Sequence, residues 1–140
     1  MTSFTKETIT AETAAKAVQA AVAKAGEIGF GISVAIVDDA GNLKAFHRMD
    51  DASLISVGIA QDKAFTSAAF GWPTHGIHDF IKDDGPLRDG MPQVPRVVVF
   101  GGGFPITKDG KVIGAVGISG GHYSQDMQCG EAALAAIGVS

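Results

Sequence analysis

Gly101-Gly102-Gly103-Phe104-Pro105-Ile106-Thr107-Lys108-Asp109-Gly110-Lys111-Val112-Ile113-Gly114-Ala115-Val116-Gly117-Ile118-Ser119-Gly120-Gly121 is the stretch that decides the fold. Lys108-Asp109-Gly110-Lys111 carries strong hairpin-turn chemistry and predicts two antiparallel strands, Phe104 to Thr107 and Val112 to Ser119. The glycine runs at Gly101 to Gly103 and Gly120-Gly121 then fall at one end of the same sheet. Glycine has no Cβ, so its backbone can approach another group closely, at a cost of roughly 0.5–1 kcal/mol relative to alanine inside an element. Two readings follow from that: the glycines line a ligand or another chain, or they are turns and bulges that shape the sheet.

Working outward, Arg96 to Phe100 is a β-branched run that predicts a buried strand. Trp72 to Pro95 holds four prolines and several glycines and predicts a long loop, with at most a helical turn around Gly76 to Ile81. Structureless loops of that length are uncommon and often functional. Leu54 to Phe70 has no proline and places Ile55, Ile59, Ala60, Ala64, Phe65 and Ala68 near helical spacing, with Gly58 permitting close packing. Ile32 to Asp38 alternates, and Asp39-Ala40-Gly41-Asn42 supplies a turn into a second strand, Leu43 to Arg48. An alanine-rich helix precedes this hairpin, from about Ile9 to Gly26, with Thr10 or Thr13 as its cap. A last helix covers about Ser124 to Ile137. The order is αββαβββα, which predicts an α+β or three-layer arrangement of helices on a mainly antiparallel sheet.

With 140 residues, 46% of them hydrophobic and 19% charged, the chain is expected to form one domain over residues 1–140. The net charge of -4 argues against a nucleic-acid binder, whose affinity comes largely from neutralising phosphates. No apolar run approaches a membrane span, and Met1 to Glu7 is not the start of an export signal, so a cytoplasmic location is expected. The one cysteine, Cys129, sits in an apolar helical stretch, which favours an inert buried thiol over a nucleophile or metal ligand.

Ser119-Gly120-Gly121 leads into a helix N-terminus, which favours negative charge, and Asp126 falls in the first turn of that helix. Asp62, Lys63 and Thr66 form a polar strip on the second helix; it is a solvated face unless it lies against the glycine clusters. Of the four histidines, His75 and His78 are three apart and share a face of any helical turn, yet no nearby cysteine or third histidine completes a zinc site. Haem iron needs only one or two protein ligands and an apolar slot, and His75, His78 and His122 are the candidates, with His47 a strand residue.

Several segments together resemble the GlcG/HbpS family of haem-binding or haem-degrading-type proteins, which includes the C-terminal domain of PduO-type proteins. They are Gly31 to Leu43, Arg48-Met49-Asp50-Asp51-Ala52, Ala60 to Ala68, Gly102 to Ile106 and Asp109 to Gly121, with Asp126. The resemblance implies a profilin-like three-layer α/β/α sandwich with a five-stranded antiparallel sheet, assembled as a homo-oligomer between dimer and octamer. It also implies a small-ligand site, with haem or a related tetrapyrrole as cofactor. Thr74 matches a recurrent Pro-Thr of the family and sets the long loop beside the pocket. The site residues expected on this basis are Thr66, Thr74, His75, His78, Gly102, Gly103, Phe104, Pro105, Ser119, Gly120 and His122. One rival is a cofactor-independent enzyme acting on a small carboxylated metabolite, with Arg48 or Lys63 holding the anion and Asp62 or a histidine as acid or base. Another is a structural or assembly subunit, in which the small-residue helices serve oligomer packing.

Overall fold

The computed structural model describes residues 1–139. Thr10 starts the first helix, its hydroxyl accepting the Thr13 N–H at 3.1 Å. Helix α1 is Ala11–Ile28, and Gly29 in the left-handed conformation ends it three residues beyond the expected stop at Gly26. Strands β1 (Ser33–Asp38), β2 (Leu43–Arg48), β3 (Gly103–Lys108) and β4 (Lys111–Ser119) form one antiparallel sheet in the order β2-β1-β4-β3. Helix α2 is Leu54–Phe70 and the last helix is Tyr123–Ile137, both where the sequence predicts them within a residue.

Alternation along the strands sends side chains to two cores. Val34, Ile36, Phe104, Ile106, Val116 and Ile118 meet the alanine stripe of α1 and Cys129 and Ala133 of the last helix. Ala35, Val37 and Ala115 meet Ala60 and Ala64 of α2 on the opposite face. Helices therefore cover both faces of the sheet, and β1 is buried on both because α1 packs on one and α2 on the other. No helix among the described residues is long and apolar enough to cross a membrane.

Three expectations are corrected. Among the described residues the sheet has four strands rather than five, because Arg96 to Phe100 does not join the ladder. The Thr66 hydroxyl donates to the Arg96 carbonyl at 2.8 Å and accepts the Val98 N–H at 3.1 Å, replacing strand pairing with a clasp to α2. Arg96 itself sits at φ 67, outside extended geometry. The 72–95 segment is not a loop but holds α3 (Thr74–Ile81), α4 (Gly85–Gly90) and a 3-10 turn at Met91–Gln93. Its prolines mark helix starts: Pro73 stands at the N-cap of α3, and Pro86 lies in the first turn of α4 beneath the Asp84 cap. The last helix is thus α5. Gly58 does not serve packing within the chain, since no atom lies within 4 Å of where its Cβ would be.

Candidate functional site

Gly103 and Gly117 are register partners on β3 and β4. A Cβ on Gly117 would stand 2.0 Å from the Ala60 carbonyl oxygen and 2.5 Å from the Ala64 nitrogen; one on Gly103 would stand 2.6 Å from the Lys63 carbonyl oxygen. The body that these hairpin glycines admit is α2 itself. Its close seat brings the polar strip down onto the glycine cluster: a Cβ on Gly102, at φ 126, would meet the Lys63 Nζ at 2.6 Å.

Lys63 is fully buried. Its ammonium donates to the Ile118 carbonyl at 2.7 Å and to Asp126 Oδ2 at 3.0 Å, and lies 5.0 Å from the centre of the Phe100 ring. Asp126, also buried, accepts the Gly121 N–H on Oδ1 at 3.0 Å. Burial pulls the Lys63 pKa down against the opposing pull of Asp126, and burial raises that of Asp126 against Lys63 and the Gly121 N–H. The pair ties α2 to the first turn of α5 and has no free donor edge toward solvent. Asp126 is therefore an ion-pair partner as well as a charge at a helix N-terminus.

Beside this clamp lie two clefts. One, of about 430 Å³, is lined by His75, His78 and Asp79 of α3, by Val99, Phe100 and Gly101, and by Tyr123. The other, of about 290 Å³, shares Phe100 and Tyr123 and adds Ser53, Ile55 and Ile59 together with Ser119 to His122 and Asp126. Phe100, seated over the Lys63 ammonium, is the wall common to both. Thr74 anchors α3 to the hairpin by accepting the Gly103 N–H at 3.0 Å.

The three candidate histidines differ in what they have left to offer. His75 sets its ring edge against Phe104, centroids 5.8 Å apart, and its Nδ1 is buried without a hydrogen-bond partner. His78 is exposed. His122 is the N-cap of α5: its Nδ1 accepts the Ser124 N–H at 3.2 Å, and its own N–H goes to Gln125 Oε1 at 3.0 Å.

Of the expected site residues, His75, His78, Ser119, Gly120 and His122 are gathered around these clefts. Gly102, Gly103 and Phe104 are buried against the chain's own atoms, and Thr66 is spent on the clasp. Pro105 is half-buried on β3. Arg48 donates from Nε and Nη2 to the Ala52 carbonyl at 3.1 and 2.8 Å, bracing the link from β2 to α2. Asp62 pairs with Arg96 at 3.0 Å. Gly101 lines the first cleft, as the ligand-lining reading of its glycine run expects, whereas Val99, Phe100 and Tyr123 were not expected as lining; the exposure of Phe100 within an apolar run becomes visible only once that run is known not to be a strand. Cys129 is buried, its thiol pushed up to about 11 by burial and by Asp126. Among the described residues no three or more His, Cys, Asp or Glu side chains converge as a metal site.

Residues 9–135 match the family of haem degrading protein HbpS-like. The chain belongs to the HbpS-like family. This HbpS-like chain is 42% identical over 128 residues to an uncharacterized 15.0 kDa protein from the dhaT-dhaS intergenic region of Citrobacter freundii, covering 91% of the present chain and 90% of that one. It is 34% identical over 115 residues to protein GlcG of Escherichia coli strain K12, covering 82% and 84% of the two chains. Its fold superposes on the crystal structure of the complex of PduOC with haem with a TM-score of 0.88 at 36% identity, over 95% of this chain and 97% of that one.

Proposed function

We propose that this HbpS-like chain binds haem or a related tetrapyrrole in the cleft between α3 and residues 99–101, acting in the cytoplasm as a small-ligand-binding protein. The observation that carries the proposal is the pairing of an exposed imidazole, His78, with an apolar wall of Val99, Phe100 and Tyr123 in one cleft. The haem complex of the PduOC relative supports the choice of ligand class. Haem, when bound, supplies an iron that needs one or two protein ligands and an apolar slot for the macrocycle.

The donor set fits such a group. Coordination through Nε2 places the proton of a neutral imidazole on Nδ1, and at His75 that proton would be buried with no acceptor. His78 carries no such penalty and is assigned as the iron ligand, with His75 a packing neighbour that closes the cleft against Phe104. Ser53, Ser119 and His122 in the adjoining cleft offer donors to the carboxylate edge of the ligand. Assembly as a homo-oligomer belongs to the same proposal, supported by the exposed Leu54 and Ile55 at the start of α2. Arg48 and Lys63, the anion holders of the metabolite-enzyme alternative, are both committed to internal bonds, so that assignment of roles gains no support.

Titration of the full chain with haem tests this. The wild type is expected to develop a Soret band at one equivalent, His78→Ala to bind at least tenfold more weakly with a shifted band, and His47→Ala to match the wild type. A wild type without the band, or a His78→Ala titration identical to it, contradicts the assignment.

A further inference from the structure

A separate cleft of about 440 Å³ lies where the β1–β2 turn meets α2 and Arg96, and it shares no lining residue with the two clefts at Phe100. Its polar groups are Asn42, Gln61, Asp62 and Arg96, and two glycines, Gly41 and Gly58, face it. Arg96 is a non-glycine residue at φ 67, a conformation that an L side chain adopts only when its surroundings impose it. The Thr66 clasp on its carbonyl and on the Val98 N–H supplies that constraint.

Two contacts position the guanidinium. It lies 4.0 Å from the centre of the Phe65 ring, and its Nε donates to Asp62 Oδ1 at 3.0 Å. The edge formed by the two Nη atoms has no hydrogen-bond or ion-pair partner among the described residues. Gln61 donates from Nε2 to the Val57 carbonyl at 3.1 Å, which leaves its Oε1 as an acceptor. Gly58 stands in the middle of α2, where glycine is disfavoured, and nothing in the chain occupies the space its side chain would fill. Two locally unfavourable residues, an arginine held at a strained φ by the Thr66 clasp and a mid-helix glycine, thus border one cleft, and the intramolecular packing does not account for the glycine.

We propose that this cleft is a binding site for a small carboxylate bearing an adjacent hydroxyl or ammonium group. The Nη edge of Arg96 matches a carboxylate with two parallel hydrogen bonds. Asp62, whose Oδ1 takes the arginine Nε, and Gln61 Oε1 accept from the neighbouring donor of the ligand. The missing side chain at Gly58 leaves room for the body of the ligand over α2.

Amide and Arg Nε–H chemical shifts of the full chain, followed during titration with lactate, alanine and propionate, test the site. Lactate or alanine is expected to move Gly58, Gln61 and Arg96 saturably, and propionate, which lacks the second donor, to bind at least tenfold more weakly. Arg96→Lys should weaken binding at least tenfold. Arg96→Gly should abolish it while remaining folded, because glycine takes that φ freely. Gly58→Ala should weaken binding while raising the melting temperature. The proposal is overturned if none of the three acids binds, or if Arg96→Gly binds like the wild type. It is equally overturned if the shifts fall on residues 75–79 and 99–101, or if Gly58→Ala alters the native mass and leaves binding intact, which would make the cleft a subunit contact.

Discussion

Lys63 shows what a single residue does in this fold. A lysine with an acid before it and a threonine three residues on has the local look of a solvated helix face, yet its side chain is 1% exposed and its partner Asp126 is 3% exposed. Local spacing placed Lys63 and Thr66 on one strip of α2 but could not show which way the strip faces, because that depends on glycines some forty and fifty residues away. The pair is expected to behave as a buried ion pair does, costly to break and cheap to replace whole. Lys63→Met should destabilise the protein by about 3–5 kcal/mol by leaving Asp126 buried and uncompensated. The double substitution Lys63→Met with Asp126→Leu should recover most of that loss. Urea denaturation of the wild type, both single variants and the double variant measures the coupling, and a Lys63→Met cost under about 1 kcal/mol would show that the pair is not a clamp.

At the scale of elements, glycine spacing sets how close helix and sheet can lie. The β3–β4 hairpin and α2 were legible from turn chemistry and from apolar spacing, but the reason for the hairpin glycines was not, since Gly103 and Gly117 meet only through pairing across strands. Gly117→Ala drives a methyl group to 2.0 Å from backbone of α2, and backbone cannot swing aside as a side chain can. A loss of at least about 2 kcal/mol is expected, within or above the usual range for overpacking. Gly26→Ala, with nothing within 4 Å of the new Cβ and a helical position in α1, should instead gain about 0.5–1 kcal/mol. Thermal melts of the two variants compare them, and equal effects would contradict the close seat of α2. The missing fifth strand has the same kind of cause. Val97-Val98-Val99 carries strand propensity, and a threonine hydroxyl on a helix thirty residues earlier takes the backbone bonds that a neighbouring strand would have made. Prolines misled in the 72–95 segment because a proline at a helix start and a proline in a loop look alike without the residues that cap the helix.

In the whole molecule, the candidate tetrapyrrole cleft is assembled from α3, the segment that leaves the Thr66 clasp, and the first residue of α5. His75, His78 and His122 were visible as candidates one at a time; that His75 is a packed ring, His122 a helix cap and His78 the exposed imidazole proposed as the iron ligand is visible only in three dimensions. The Lys63 ammonium of the buried ion pair lies 5.0 Å from the centre of the Phe100 ring, the wall common to the two clefts. The Arg96 cleft is lined by a different set of residues. The most direct test of tetrapyrrole binding in the α3 cleft is amide chemical-shift mapping of the full chain with zinc protoporphyrin, a diamagnetic stand-in for haem. The account predicts the largest changes at residues 75–79, at 99–101 and at Tyr123. Changes confined to α1, or to the turn at residues 39–42, would contradict it.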